Sequence, residues 1–247
     1  MIEDYNRYQF SNKEKILYLL EGLVLSMVIG WTFYKNILGV LLMSLIIPSF
    51  LKRKKEKLVN KRKWQLSFEF RDGIQSMAAA LVAGYSVENA IKEALEDLSH
   101  LYQKDAYIIK EFTYLANQLQ MNISVEEAFN DLGKRSKVDD IVSFAEVFST
   151  AKRAGGNLVD VIKTSTNIIS DKISIKEEVL TLMIAKKKEA QLMKIIPFVF
   201  LIYLFISNPG FLDPLYNNAL GILIMSILLL FYFLASWMID KIVNIEL

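Results

Sequence analysis

Residues 16–33 read ILYLLEGLVLSMVIGWTF, and this apolar stretch and three others decide the fold of the chain. The other three are Ile37–Leu51, Ile195–Ser207 and Ala219–Ile239. At a rise of about 1.5 Å per residue, the first and last cross most of a hydrocarbon core about 30 Å thick, whereas the middle two are short. Only three residues separate the first two stretches, which suits a tight helical hairpin. We therefore predict that the four stretches form two membrane-spanning hairpins.

The composition favours a membrane protein and argues against an enzyme. Hydrophobic residues make up 53% of the 247 residues, above the level of about 45–50% that is usual in soluble domains. The sequence has no cysteine, and His100 is its only histidine, which leaves little for a thiolate zinc site or a Ser/His/Asp triad. It also has no G-x-x-x-x-G-K-[ST] phosphate loop. We predict no catalytic residues, no cofactor, no metal and no nucleic-acid partner.

Basic residues flank the apolar stretches on one side. Lys52–Lys63 contains eight Lys or Arg residues and one acid, and Lys186–Lys194 contains four bases, whereas the link Asn208–Asn218 contains none. Because Lys and Arg near span ends favour the cytoplasmic side, we predict that the central region and both termini are cytoplasmic. The two basic segments are expected to contact anionic membrane lipids.

The predicted fold is an all-α integral membrane protein. Two N-terminal and two C-terminal transmembrane helices flank a cytoplasmic bundle of about six helices, because apolar residues in the central region recur at spacings of three and four. The predicted segments are a cytoplasmic N-terminal segment (1–15), a transmembrane hairpin (16–51), a cytoplasmic helical domain (52–194), a second transmembrane hairpin (195–239) and a cytoplasmic tail (240–247).

Turn and capping residues divide the central region. Gly84 suits a left-handed C-terminal cap, and Ser86 suits the N-cap of the next helix. Ser124 and Glu127 form an S-x-x-E capping box, and Asn157 opens a helix that we expect to continue toward the membrane. The predicted helices are 64–83, 87–99, 104–119, 125–135, 138–154 and one that begins at Asn157.

Three of these helix starts share one pattern. Each has a turn residue, then a small capping residue, an aliphatic residue and acids in the first turn. The capping residues Ser86, Ser124 and Asn157 are 38 and 33 residues apart, which is within the range of repeated helical hairpins.

Several segments carry a family resemblance. Residues 81–95 read LVAGYSVENAIKEAL, residues 123–136 read ISVEEAFNDLGKRS, residues 145–166 read AEVFSTAKRAGGNLVDVIKTST, and residues 194–205 read KIIPFVFLIYLF. In this order, after two N-terminal spans, they resemble the type II secretion system F domain family, and most of all its tight-adherence (Tad) branch. The residues that match the family's motifs are Gly84, Ser86, Ala90, Gly155, Gly156, Asn157, Leu158 and Pro197. The middle repeat departs from the family, with Met121-Asn122 where glycine is frequent.

The resemblance implies a platform protein of a bacterial or archaeal cytoplasmic membrane. Around such a protein a type IV pilus, a Tad pilus or a type II secretion-like filament is assembled or retracted. A hexameric secretion ATPase would engage the cytoplasmic domain, and pilins or pseudopilins would meet the spans. A second copy or a paralogous platform protein is also expected as a partner. The alternative functions are a transporter or channel subunit and a membrane-tethered regulatory scaffold.

Charged residues supply the candidate contact sites. Residues 64–185 contain 12 basic and 18 acidic residues, so we expect this acidic region to meet a basic region of the ATPase. The candidate contacts are Glu126, Glu127 and Asp131. Glu21 is an ionisable residue in the first span and is expected to pair with a neighbour or to contact a pilin. Pro197 is expected to bend or break the third span.

Overall fold

The computed structural model describes residues 4–6, 8–208, 210–216 and 218–243, and within these ranges it contains helices and no strand. The chain forms two compact units. The bundle unit comprises Met1–Gln9 and Lys55–Ile175, and the apolar unit comprises Phe10–Lys54 and Lys176–Leu247. The helices in the described ranges are α1 (Asn12–Tyr34), α2 (Ile37–Ser44), α3 (Ile47–Val82), α4 (Val87–Leu101), α5 (Tyr107–Gln120), α6 (Val125–Ser136), α7 (Asp139–Arg153), α8 (Leu158–Ser207), α9 (Asp213–Tyr216) and α10 (Ala219–Val243).

The predicted all-helical fold is confirmed, and the bounds of α4 to α7 lie close to those predicted. The main difference in the central region is α3, which begins at Ile47 rather than at residue 64. It runs through the basic segment because lysine, arginine, glutamate and leucine are good helix formers, and no glycine or proline interrupts Lys52–Lys63.

The predicted second span, Ile37–Leu51, is divided between two helices. The eight-residue α2 ends at Ser44, a turn follows at residues 45 and 46, and α3 begins at Ile47. Eight helical residues extend only about 12 Å. The break has a local cause, because Pro48 lacks an amide hydrogen and its ring crowds the carbonyl group four residues earlier.

Among the helices of the described ranges, three are long and apolar enough to cross a membrane, namely α1, α8 and α10. The 50-residue α8 is continuous through Pro197, so the expected break at this proline does not occur. A proline removes a single backbone hydrogen bond, and membrane helices tolerate that loss through local adjustment. The predicted third span is thus the end of a much longer helix, as the extension expected from Asn157 implies.

Close backbone contact holds α1 against α2 in the apolar unit. Gly22, Ser26, Gly30 and Phe33 are buried along one stripe of α1. A Cβ atom at Gly30 would lie 2.6 Å from the Cα atom of Val40. Only glycine permits this approach, because the obstructing atoms belong to the backbone of α2.

Aromatic side chains from α3, α6 and α7 form the centre of the bundle core. The ring of Phe144 lies 5.3 Å from that of Phe70 and 5.0 Å from that of Phe129, both in edge-on geometry. Phe148 stacks against Phe144 at 5.7 Å. All four side chains are buried, and edge-to-face pairs of this kind add to the stabilisation that burial provides.

Helix α3 runs parallel to α5 and α7. The Glu69 carboxylate accepts a hydrogen bond from the Ile108 amide, and one turn later Gly73 lies against the ring of Phe112. Residue numbers therefore increase together along α3 and α5. On another face of α3, Phe70 packs on Phe144 of α7. One turn earlier on both helices, the Ser67 hydroxyl group of α3 donates a hydrogen bond to the Asp140 carboxylate of α7.

Helices α4, α6 and α8 run in the opposite direction. Glu126 at the start of α6 pairs with Lys152 at the end of α7. Tyr102 follows the end of α4 and donates a hydrogen bond to Asp72 in the middle of α3. Because the helices alternate in direction, the α3–α4, α5–α6 and α7–α8 turns all lie at one end of the bundle.

Candidate partner-docking site

The three turns at this end have the same backbone geometry. Gly84, Asn122 and Gly155 each take a left-handed conformation, with φ values of +94°, +60° and +68°. At each turn two amides bond back to the preceding helix, for example Gly84 to the Leu81 carbonyl and Tyr85 to the Ala80 carbonyl. This is the Schellman motif, which satisfies the last carbonyl groups of the helix.

Asn122 explains why the middle repeat lacks the expected glycine. Among non-glycine residues, asparagine tolerates the left-handed region well, because its short polar side chain bonds locally. The middle repeat therefore departs from the family in sequence and keeps the turn geometry. The prediction of a left-handed cap at Gly84 is confirmed.

Each turn is followed two residues later by the capping residue of the next helix. Ser86 accepts a hydrogen bond from the Asn89 amide, and Ser124 accepts one from the Glu127 amide, both at 3.3 Å. The Asn157 side chain accepts a bond of 3.1 Å from the Val159 amide. The three capping residues predicted from the sequence thus cap the helices that follow them.

Exposed residues around these turns form a surface that we call the turn face. Its apolar members are Val82, Tyr85 and Met121, which are 58%, 45% and 73% exposed. Its acidic members are the exposed first-turn residues Glu88, Glu127 and Asp160. Apolar groups surrounded by acids suit a partner surface of apolar and basic side chains.

The structure separates the three predicted contact acids. Glu127 is exposed on the turn face. Glu126 pairs with Lys152 at 2.9 Å, and Asp131 pairs with Arg135 at 2.8 Å. Burial opposes ionisation of Glu126, but the hydrogen bond from Lys152, a backbone hydrogen bond and the positive charges of Lys152 and Arg153 together outweigh it and lower the pKa of this carboxyl group. Two of the three carboxylates therefore already hold intramolecular partners.

Alanine at Gly84 or Gly155 is expected to lower the free energy of unfolding by about 1 kcal/mol. The cause is backbone strain alone, because a Cβ atom at either position would meet nothing within 4 Å. Thermal unfolding of the detergent-solubilised chain measures the loss. Asn122 supplies the matched control: Asn122→Ala should be destabilising and Asn122→Gly should not. The opposite order would contradict the role of this geometry.

An ionic network that was not predicted from the sequence lies inside the bundle. Arg135 donates two hydrogen bonds to Glu111, of 2.7 and 3.2 Å, and one of 2.8 Å to Asp131. Glu111 is 3% exposed. Burial disfavours the charge on Arg135, but the bonds to Glu111 and Asp131 outweigh this and raise the pKa of the guanidinium group. Nothing in the spacing of these charged residues indicated that they meet inside the bundle.

A second buried acid caps a helix from outside it. Helix α5 has no side-chain cap from its own N-cap residue, Ala106. Glu69 of α3 supplies one by accepting a hydrogen bond of 2.9 Å from the Ile108 amide. A carboxylate at a helix N-terminus is favoured by the helix dipole, so this contact fixes α5 against α3.

Two further candidate residues, Glu21 and Pro197, lie in the apolar unit. Glu21 accepts two hydrogen bonds from Lys54, of 3.0 and 3.1 Å. The ammonium group of Lys54 also lies 4.9 Å from the centre of the Tyr18 ring. Glu21 thus has the paired state expected for an ionisable group at the edge of a membrane span. Pro197 lies within α8 and outside the turn face.

Comparison with known proteins gives one match. The family model described as "Type II secretion system (T2SS), protein F" matches residues 74–206, which is more than half of the 247 residues. The matched region contains the three turns and most of α8. Comparisons with curated proteins and with solved structures give no match.

Proposed function

The chain belongs to the type II secretion system protein F family, and we propose that it couples a cytoplasmic secretion ATPase to the assembly or retraction of a filament. The family identifies it as a membrane platform protein of type II secretion or type IV pilus-like systems. In the proposed mechanism, the hexameric ATPase moves the bundle, α3 and α8 carry the motion into the membrane, and pilins or pseudopilins meet the membrane helices. The chain itself supplies no catalytic step.

The turn face carries this proposal. Three turns with left-handed residues lie at one end of the bundle, with exposed Tyr85 and Met121 and a set of exposed first-turn acids. A mobile ATPase would need a rigid surface to push against, and capped helix starts provide one. The acids would select a basic partner surface and raise the encounter rate more than the affinity.

The N-terminal residues support the proposed 2+2 membrane arrangement. Residues 4–6, 8 and 9 belong to the same compact unit as Lys55–Ile175. These two segments would therefore lie on the same side of the membrane. The chain between them must then cross an even number of times. Since α1 would form one crossing, α2 and the start of α3 would form the second crossing, back to the first side of the membrane. With the basic segments beside the spans, this side is the cytoplasm of a bacterium or archaeon, and the C-terminal tail shares it.

Membership of the Tad branch and self-association complete the proposal. The single helical domain between two pairs of spans is the feature that favours the Tad branch. A second copy or a paralogous platform protein would pack against exposed faces of α8 or α10.

Co-purification of the tagged chain with an ATPase and small prepilins is the direct test of the proposed function. If neither partner is recovered with the chain from crosslinked membranes of filament-producing cells, the proposed function is contradicted.

Charge reversal on the turn face is expected to weaken recovery of the ATPase. Glu88→Lys combined with Glu127→Lys should reduce pull-down by about tenfold, which corresponds to about 1.4 kcal/mol. The matched control is Glu96→Lys with Asp97→Lys, which changes the same charge at exposed positions near the other end of α4. Equal recovery of the two folded double variants would reject the turn face as the docking site.

A further inference from the structure

The N-terminal segment before α1 docks into the bundle unit. Tyr5 is completely buried, and its hydroxyl group donates a hydrogen bond of 2.8 Å to Glu111. Its ring meets that of Tyr107 edge-on at 5.6 Å. Tyr5 therefore joins the network of Glu111, Arg135 and Asp131, although it precedes Glu111 by 106 residues.

Further contacts fix this segment on both sides of Tyr5. The Asn6 side-chain amide donates a hydrogen bond of 3.2 Å to the Arg135 carbonyl. The ring of Tyr8 lies 4.9 Å from the guanidinium carbon of Arg62. We call residues 4–6, 8 and 9 the N-terminal latch, and its contacts reach α3, α5 and α6.

The latch is joined to α1 by a short connection. Only Phe10 and Ser11 lie between the latch and Asn12, the first residue of α1. Ser11 and Glu14 form a complete capping box at this start, and the Phe10 ring contacts that of Tyr18 at 5.4 Å. The connection has little slack, since two residues span at most about 7 Å when fully extended.

From this arrangement we propose that the latch transmits displacement of the bundle to the first membrane helix. This inference rests on the proposed function, in which an ATPase displaces the bundle. Helices α3 and α8 each run from one unit into the other and supply two connections. The latch supplies a third, which acts on α1 through a buried side chain rather than through a continuous helix. A pull on α5 and α6 through the Tyr5 site therefore reaches α1 directly.

Slack introduced into the connection tests this inference. A flexible linker of six glycine and serine residues, about 13 Å in root-mean-square length, is inserted between Gln9 and Phe10 of the full chain. The latch contacts remain possible, but tension no longer passes to α1. We expect at least tenfold fewer filaments, with unchanged membrane level and unchanged ATPase recovery. Hydrogen exchange of the latch amides checks that it stays docked.

The matched control carries the same linker directly after Met1, upstream of the latch, and should make filaments as the unaltered chain does. Tyr5→Ala is the second variant: it undocks the latch without adding residues, and it should reduce filaments as the inner linker does. Normal filament numbers with the inner linker would overturn the inference. If deletion of the whole gene leaves filaments intact, the proposed function fails and this inference fails with it.

Discussion

Replacing Arg135 with leucine is expected to lower the free energy of unfolding of the bundle by about 3–5 kcal/mol. The variant leaves the Glu111 carboxylate buried with the Tyr5 hydroxyl group as its remaining described hydrogen-bond donor. A buried charge without its counter-charge is among the most costly changes in a protein interior. It also leaves Asp131 with the weaker bond of 3.2 Å from Gln118.

Two further variants separate the charge from the packing. Arg135→Lys should recover only part of the loss, because an ammonium group cannot form the two parallel bonds of the guanidinium fork. Glu111→Gln added to Arg135→Leu should be more stable than Arg135→Leu alone, since the buried charge is then absent. Thermal and denaturant unfolding measure both. A double variant less stable than the single one would show that the loss comes from shape alone.

Replacing Gly30 with valine is expected to open the α1–α2 hairpin and to cost about 3 kcal/mol or more. The new Cβ atom would lie 2.6 Å from the Cα atom and 2.7 Å from the amide nitrogen of Val40. Backbone atoms cannot rotate away, so the two helices must separate. Their separation also removes the bond of 3.3 Å from the Ser26 hydroxyl group to the Met43 carbonyl.

Gly22 provides the control on the same stripe of α1. The atoms nearest to a Cβ atom there belong to the Ile47 side chain, at 3.3 Å and beyond, and a side chain can shift by a few tenths of an ångström. Gly22→Ala is therefore expected to cost less than about 1 kcal/mol. The membrane level and the thermal stability of the two variants are compared. Equal losses would mean that close backbone approach at Gly30 is not what holds the hairpin.

Local sequence signals predicted the helices of the bundle well. Caps and turns act over a few residues, so Ser86, Ser124 and Asn157 mark their helix starts correctly. The break at residues 45 and 46 also has a local signal in Pro48. The strongly apolar composition of Ile37–Leu51 concealed it, because hydropathy is averaged over many residues and a proline acts at one.

Contacts between distant residues could not be predicted from the sequence. The paired states of Glu126 and Asp131 depend on how α6 packs against its neighbours. Periodicity gives the face of a helix and does not give the partner that meets it. Tyr5 lies in a short segment without periodicity, so nothing in its surroundings indicated burial or a bond to Glu111.

Membrane topology is the measurement that tests the central claim most directly, and the absence of cysteine makes it simple. Single cysteines are introduced at the exposed positions Ser99, in the bundle, and Asn208, after α8. Intact cells are then treated with a membrane-impermeant maleimide. We predict that Asn208→Cys is labelled in intact cells and that Ser99→Cys is labelled only after permeabilisation. Labelling of Ser99→Cys in intact cells would place the bundle outside the cytoplasm and contradict coupling to an ATPase.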